Sequence, residues 1–438
     1  MVRLRPHADA VDYRFGHPRW EGDAVGQLSE QRVRVRYGAL AEDLAQSGID
    51  VDAVKSEVGA FEVEVPSWVF GEFGGGRFGE FMPPGPARDL HAKLRDAAMV
   101  HKLTGAAPRV AIHAGWDKPE GVAFEDISAD MFSEPRAYAQ EQGIDFGAVN
   151  PTLFLKGTHH GSLSSPMPEV RRALIRHCQV CCEIAHEHAH GLVTYWLPDG
   201  TNYPGQRDLW QQESLVREAL AEIYTSTPKT VLHLIEYKLF EPGTYSTVIP
   251  DAGTATQIVE ALGDRAGVLV DMGHHAWAVN VPQIVARLIG TGRRGGFHFN
   301  TRYAADDDHG VEPNLAMYAV FCELVKGNVV CADDPGANWA YMIDQCSSLE
   351  NRIRAVLHSI DSLQVSLAKA LVLDRERLQE LQDRQAIIPA NRVFLSAFLT
   401  DVRPILWLAR IEKGLPPDPV QAYDASGYQE QVERERGA

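Results

Sequence analysis

Short apolar runs rich in Val, Ile and Phe recur along the chain, and most end in polar or aromatic residues. They predict strands at residues 61–68, 109–116, 146–154, 192–197, 231–238, 268–274, 296–300 and 342–345. Between them, apolar residues return at helical spacing. Leu90, Leu94, Val100 and Leu103 form one such face, Ile258 and Leu262 a second, Ile284 and Leu288 a third, and residues 315–325 a fourth. Strands alternating with helices give parallel βαβ units, and eight such units close into a barrel rather than an open sheet. The predicted fold class is α/β, a (β/α)8 TIM barrel with an additional α-helical extension.

Two helical segments flank that pattern. Residues 26–50 read as a helix closed by Gly48. Residues 350–415 open with a long helix whose stripe is Ile353, Val356, Leu357, Ile360, Leu363, Leu367 and Leu371, followed by a second helix around 394–413. The expected organisation is an N-terminal helical segment over 1–55, a barrel carrying the chemistry over 56–348, and a C-terminal helical extension over 349–438. Residues 73–86 (FGGGRFGEFMPPGP) have no period and many Gly and Pro, so they read as a loop.

Composition narrows the function. The 438 residues are 45% hydrophobic and 23% charged, with 42 Lys and Arg against 59 Asp and Glu, a net charge of −17. This acidic balance speaks against a nucleic-acid partner and against an anionic membrane surface, both of which need clustered Lys and Arg. No apolar run reaches the ~18 residues of a membrane span, and the first twenty residues lack the apolar core of a signal peptide. Six cysteines are too sparse for a disulfide scaffold. A cytoplasmic enzyme with reduced thiols is expected.

In such a barrel, chemistry sits where strands end at the C-terminal face. Strand five ends in Glu236 and Lys238, strand six in Asp271 and His274, strand seven in His298 with Asp306, Asp307 and Asp308 following, and strand eight in Asp344. Residues two apart on a strand share a face, so Glu236 and Lys238 point the same way. Crowded carboxylates repel unless a cation neutralises them. Glu236, Asp271, His298 and Asp344 therefore describe one divalent-ion site, and His274 with Asp306 and Asp308 describes another. Oxygen and imidazole ligands without thiolate suit Mn²⁺, Mg²⁺ or Co²⁺ better than structural zinc. His275 and Asp307 are expected to have no special role.

The motifs VPSW, HxxWDK, WxxDGxNxPGQ, ExKxxEPxxYST, DxGHH, GGFHFN with a downstream DDD, and MIDQ resemble the L-rhamnose isomerase family, in its bacterial branch of broad sugar specificity. The tail repeats the likeness in TDVxPIL at 400–406 and DPV…Y…SGY at 418–428. The resemblance implies a xylose-isomerase-like barrel, usually tetrameric, that acts on a small unphosphorylated sugar with two divalent ions. Mn²⁺ is the first expectation for those ions, with Co²⁺, Mg²⁺ or Zn²⁺ as alternatives. It assigns Glu236, Asp271, His298 and Asp344 to a structural ion, and His274, Asp306 and Asp308 to a catalytic one. It places Lys238, His113, Trp68, Trp116 and Trp196 against the sugar and has Phe78 reach a neighbouring subunit's pocket. Asp308 or Asp344 would act as base, Lys238 would stabilise charge on O1, and His113 would assist ring opening. A metal-dependent ketose 3-epimerase or lyase on the same site is the alternative reaction, and a non-catalytic sugar-binding barrel is a third reading disfavoured by the full ligand set.

The chain departs from that pattern near the sugar. Tyr237 stands where His is common, Thr301 replaces an acid, and HIPWDK reads HAGWDK with Ala114 and Gly115. The loop after Trp68 is longer by one residue, with Glu72 and Phe73, and His159 and His160 replace Lys and Tyr. None of these is a proposed metal ligand, so they bear on which sugar is used. Cys178, Cys181 and Cys182 with His186, His188 and His190 suggest zinc, but they lie in a predicted helix over 168–190. There the cysteines share one face, as a buried apolar stripe would. The glycines at 74–76 lack the flanking strand, helix and Lys-Ser/Thr of a phosphate loop.

Overall fold

The computed structural model describes residues 29–72, 84–241, 245–301, 309–330, 339–346 and 350–437. Eight strands form one parallel sheet in chain order: β1 (Val65–Pro66), β2 (Arg109–His113), β3 (Asp145–Asn150), β4 (Leu192–Tyr195), β5 (Leu232–Glu236), β6 (Ala266–Asp271), β7 (Gly295–Phe299) and β8 (Trp339–Ile343). The seam between β8 and β1 is closed by a bridge from Glu64 to Met342, with Glu64 N donating to Tyr341 O and Ile343 N donating to Glu64 O, both at 2.9 Å. The sequence-predicted barrel is thus the fold, and all eight predicted strands are present.

Each strand is followed by a helix that covers the outside of the sheet. These are Leu90–Thr104, Ser133–Glu141, Pro168–His188, Leu209–Ser226, Ala252–Leu262, Val281–Gly290, Leu315–Lys326 and Arg352–Leu371. Several begin with a side-chain cap: Asp89, Asp208, Asp251, Asn280, Asn314 and Asn351 each accept a backbone N–H three residues on. Those caps satisfy backbone donors that have no partner within the helix itself.

The barrel interior explains where function lies. Ala111, Ala148, Leu234, Leu269 and Met342 form a buried apolar layer inside the sheet, with Trp68 and Leu192 beside it. Two residues further along the same strands come His113, Asn150, Glu236, Asp271 and Asp344. The period of two therefore stacks a polar layer directly above an apolar floor. On β7 the floor position is Gly296, because a Cβ there would lie 2.6 Å from Leu234 Cδ1 and 3.1 Å from Leu269 Cδ1. His298 follows it in the polar layer.

Some elements differ from the sequence reading. Residues 61–68 do not form a full strand: β1 is two residues long, and Trp68 sits in a 3₁₀ turn, Ser67–Phe70. Pro66 removes a ladder donor there, and the chain turns at once. The N-terminal helix is Glu30–Ala45, capped by Ser29, with Gly48 at φ +73° and a second helix, Val51–Ala60, directly after it. The single helix predicted around 394–413 is two, Ile387–Leu399 and Arg403–Glu412, broken before Pro404. Both N-terminal helices pack on Arg403–Glu412. The last helix, Tyr428–Arg436, is pinned to the barrel by Arg436, which pairs with buried Asp96 at 2.7 Å. Among the described residues no single helix is long and apolar enough to cross a membrane.

Candidate active site

Strand register gathers the predicted ligands. Asp271 pairs directly with His298, and His298 with Met342, which puts Asp344 two residues further up β8. Glu236 pairs with Leu269, two residues before Asp271. One ligand atom each from Glu236, Asp271, His298 and Asp344 lies within 4.8 Å of the others. Three strands thus end in buried candidate ligands around one point, and Asp344 follows β8 immediately.

The electrostatics of this cluster fit a cation. Burial pushes Asp344 up to about 6, and Asp271 and Glu236 beside it add to that shift. Burial likewise raises Asp271. Burial alone would raise Glu236 too, but His298 and His274 outweigh it and hold the carboxyl below its ordinary range. Burial opposes charge on His298, yet Glu236 above all lifts it to about 9. Its Nδ1 lies 3.2 Å from Glu236 Oε1 and 3.6 Å from Asp344 Oδ2, while its buried Nε2 has no hydrogen-bond partner among the described residues. Three carboxylates and one imidazole share a space where their charges are compensated only partly. A divalent ion among them would relieve the repulsion.

Neighbours orient these groups. Asn300 Nδ2 lies 3.0 Å from both Asp271 oxygens, and Gly273 N donates to Asp271 Oδ1 at 2.6 Å. Trp68 Nε1 donates to Asp344 Oδ1 at 3.0 Å. His274 stands against the cluster, its Nδ1 3.2 Å from Glu236 Oε1. Asp306 and Asp308 lie outside the described residues, so His274 alone represents the second predicted set. Phe78 also lies outside them.

An aromatic wall rises on one side. His113 stacks on Trp116 with centroids 3.9 Å apart, and Trp68 meets His113 edge-on at 6.0 Å. Phe154 bridges Trp116, at 5.3 Å, to Trp196, at 5.0 Å. Lys238 Nζ lies 4.9 Å from the centre of the Trp196 ring and 2.9 Å from Glu241 Oε2. Flat apolar faces beside polar tips suit the C–H faces and hydroxyls of a small polar molecule.

Phe154, Asn300 and Thr152 were not identified as site residues in the sequence. Asn300 carried a usable signal, because it stands two residues from His298 on the same face. Phe154 and Thr152 follow β3 in irregular chain and carried none. His275 is not an idle loop residue: it is buried, and its Nε2 lies 2.7 Å from the Tyr237 hydroxyl. Gly115 does not open space, since a Cβ there would fall on the Thr152 side chain. The three cysteines of helix Pro168–His188 are buried, as their apolar stripe predicts, and His186 Nδ1 bonds Thr230 Oγ1 at 2.8 Å.

Comparisons with known proteins bear on the fold and on the family of the chain. A family model described as L-rhamnose isomerase (RhaA) matches residues 34–396. A probable sugar isomerase of Rhizobium meliloti is 38% identical over 95% of this chain and 96% of its own length. A probable sugar isomerase of Mesorhizobium japonicum is 36% identical over 92% of each chain. An L-rhamnose isomerase of Cronobacter sakazakii is 24% identical over 77% of this chain and 83% of its own. Among solved structures, an L-ribulose 3-epimerase superposes with a TM-score of 0.50 at 13% identity, covering 75% of this chain and 97% of its own, a likeness of fold alone.

Proposed function

The chain belongs to the L-rhamnose isomerase family and is a sugar isomerase, and from that premise we propose that it interconverts an unphosphorylated aldose and its ketose, L-rhamnose and L-rhamnulose or a related pair. The observation that carries this reading is the convergence of Glu236, Asp271, His298 and Asp344 beneath the aromatic wall. In it those four residues hold one divalent ion, and His274, Asp306 and Asp308 hold a second, with Mn²⁺ the preferred ion. When bound, such ions supply Lewis acidity that polarises the carbonyl and lowers the pKa of the neighbouring hydroxyl.

The chain's own residues do the rest. Trp68, Trp116 and Trp196 hold the sugar against flat faces, and Phe154 braces the last two. Lys238 stabilises negative charge that develops on the carbonyl oxygen at C1. Asp308 or Asp344 serves as base for the proton moved between the two oxygens. His113 engages the cyclic sugar before it opens. The enzyme is a tetramer in this reading, and Phe78 reaches a neighbour's pocket. The exposed Ile387, Ile388 and Leu399 of one extension helix support it, as surface that a sister chain can cover.

The test is a panel of free aldoses and ketoses followed by NMR in D₂O with Mn²⁺ present. The expected result is aldose–ketose conversion with any label confined to C1 or C2. Deuterium entering at C3 would assign a 3-epimerase instead, and no turnover of any free sugar would overturn the reading. Sedimentation at the mass of four chains is expected, and a monomer mass would overturn the tetramer.

A further inference from the structure

We propose that Thr152 is a positioning residue that fixes the tautomer of His113, so that the imidazole presents Nε2–H to the pocket as a hydrogen-bond donor. A threonine hydroxyl has one hydrogen to give and two lone pairs to receive. Gly115 N donates to Thr152 Oγ1 at 3.0 Å, which takes one lone pair. His113 Nδ1 lies 2.7 Å from the same oxygen. If Nδ1 carried the proton, Thr152 Oγ1 would accept twice, and its own hydrogen would have no acceptor among the described residues. A buried hydroxyl without an acceptor is costly, so the hydroxyl donates to Nδ1 and the ring proton sits on Nε2.

The surroundings agree. Asp117 is the carboxylate nearest His113 in sequence, but it is taken by Ser67 Oγ at 2.5 Å, Lys93 Nζ at 2.6 Å and the His113 backbone N–H at 2.8 Å. It does not reach the ring nitrogens, so no carboxylate there favours a charged imidazole. Burial, then His177 and Lys93, hold His113 well below its ordinary pKa and keep it neutral. The Thr152 backbone N–H is itself anchored by His177 Nε2 at 3.0 Å, which fixes where the hydroxyl stands. Gly115 completes the device. A proline at that position would have no N–H to occupy the Thr152 lone pair, and any Cβ would collide with the hydroxyl. No described group bonds His113 Nε2, and the ring lies among Trp68, Trp116 and Phe154. Given the sugar-isomerase reading, on which this last step rests, His113 meets the sugar as a donor to one of its oxygens and not as a proton acceptor.

The experiment is NMR of the full-length protein labelled with ¹⁵N-histidine, with the His113 signals assigned by their loss in His113→Asn. The expected spectrum of the unaltered protein and of Thr152→Ser shows a neutral ring, protonated at Nε2 and bare at Nδ1. Thr152→Val is expected to release that tautomer and to lower kcat/KM for the sugar by about tenfold, while Thr152→Ser retains the original value. An Nδ1–H tautomer in the unaltered protein would overturn the proposal, as would a Thr152→Val variant that keeps the Nε2–H form. The predicted tautomer in a protein that turns over no sugar would support this inference while removing the functional reading.

Discussion

Asn300 shows how much a single side chain outside the ligand set can matter. Its amide lies 3.0 Å from both oxygens of Asp271, so it fixes the rotamer of a proposed ligand that is itself completely buried. Asn300→Ala is expected to weaken Mn²⁺ binding about 10-fold to 100-fold while leaving the thermal midpoint of the metal-free protein nearly unchanged. Isothermal titration calorimetry checks the first part and a melt checks the second. His177 supplies a pH dependence of stability. Burial lowers its pKa from 6.5 to about 4, and its Nε2 already accepts the Thr152 N–H. The folded protein therefore resists a proton that the unfolded chain binds below pH 6.5. Stability from this residue is intact above pH 6.5 and falls as pH drops through about 4, by an amount on the order of 3 kcal/mol. His177→Gln should flatten that part of the profile in urea titrations, and an unchanged slope would contradict the assignment. At this scale the sequence was informative where a rule of spacing applied. Glu236, Asp271, His298 and Asp344 stand at strand ends on the inward face, and that much follows from a period of two. Thr152 and Phe154 were hidden, because their partners depend on the register of β2 on β3, which shifts between Val110 and Ile112. No local pattern encodes that shift.

At the scale of elements, the predicted strands were right in number and order, and too long at their C-terminal ends. Residues 114–116 and 196–197 are as apolar and aromatic as the strands before them, yet they follow the strands at the mouth of the barrel. Aromatic residues such as Trp116 and Trp196 look like strand to a hydropathy pattern, so the boundary was blurred. Helices Ser133–Glu141 and Leu209–Ser226 were not read, because polar residues such as Gln211, Gln212 and Glu213 dilute their apolar stripe. The interior layer offers a direct test of packing. Gly296→Ala would press a methyl group against Leu234 and Leu269 in the floor of the barrel. It is expected to destabilise the protein by about 1–3 kcal/mol, read from urea unfolding. A variant as stable as the parent would mean that the floor has room to spare.

At the scale of the whole molecule, eight βα units place four proposed ligands at one rim because parallel strands all end on the same side. The helices at both chain ends lie outside that rule. The N-terminal pair docks on Arg403–Glu412, and Lys55 reaches Glu412 at 3.0 Å. The contact spans most of the chain, and no short-range pattern announces it. The extension also carries Ile387 and Ile388, 75% and 69% exposed, on a helix that the sequence reading merged with its neighbour. The acidic net charge of −17 acquires a local meaning at the barrel mouth, where three of those acids crowd one histidine. We propose that this cluster holds one of the two ions on which sugar isomerisation depends. The most direct measurement strips the protein of metal, titrates Mn²⁺ back and follows ion binding and aldose–ketose conversion together, for the parent and for Glu236→Gln. The expected result is no conversion without the ion, activity that rises in step with occupancy, and a variant that binds the ion weakly and stays inactive. Full turnover by the metal-free parent, or by Glu236→Gln at ordinary Mn²⁺ concentration, would contradict it.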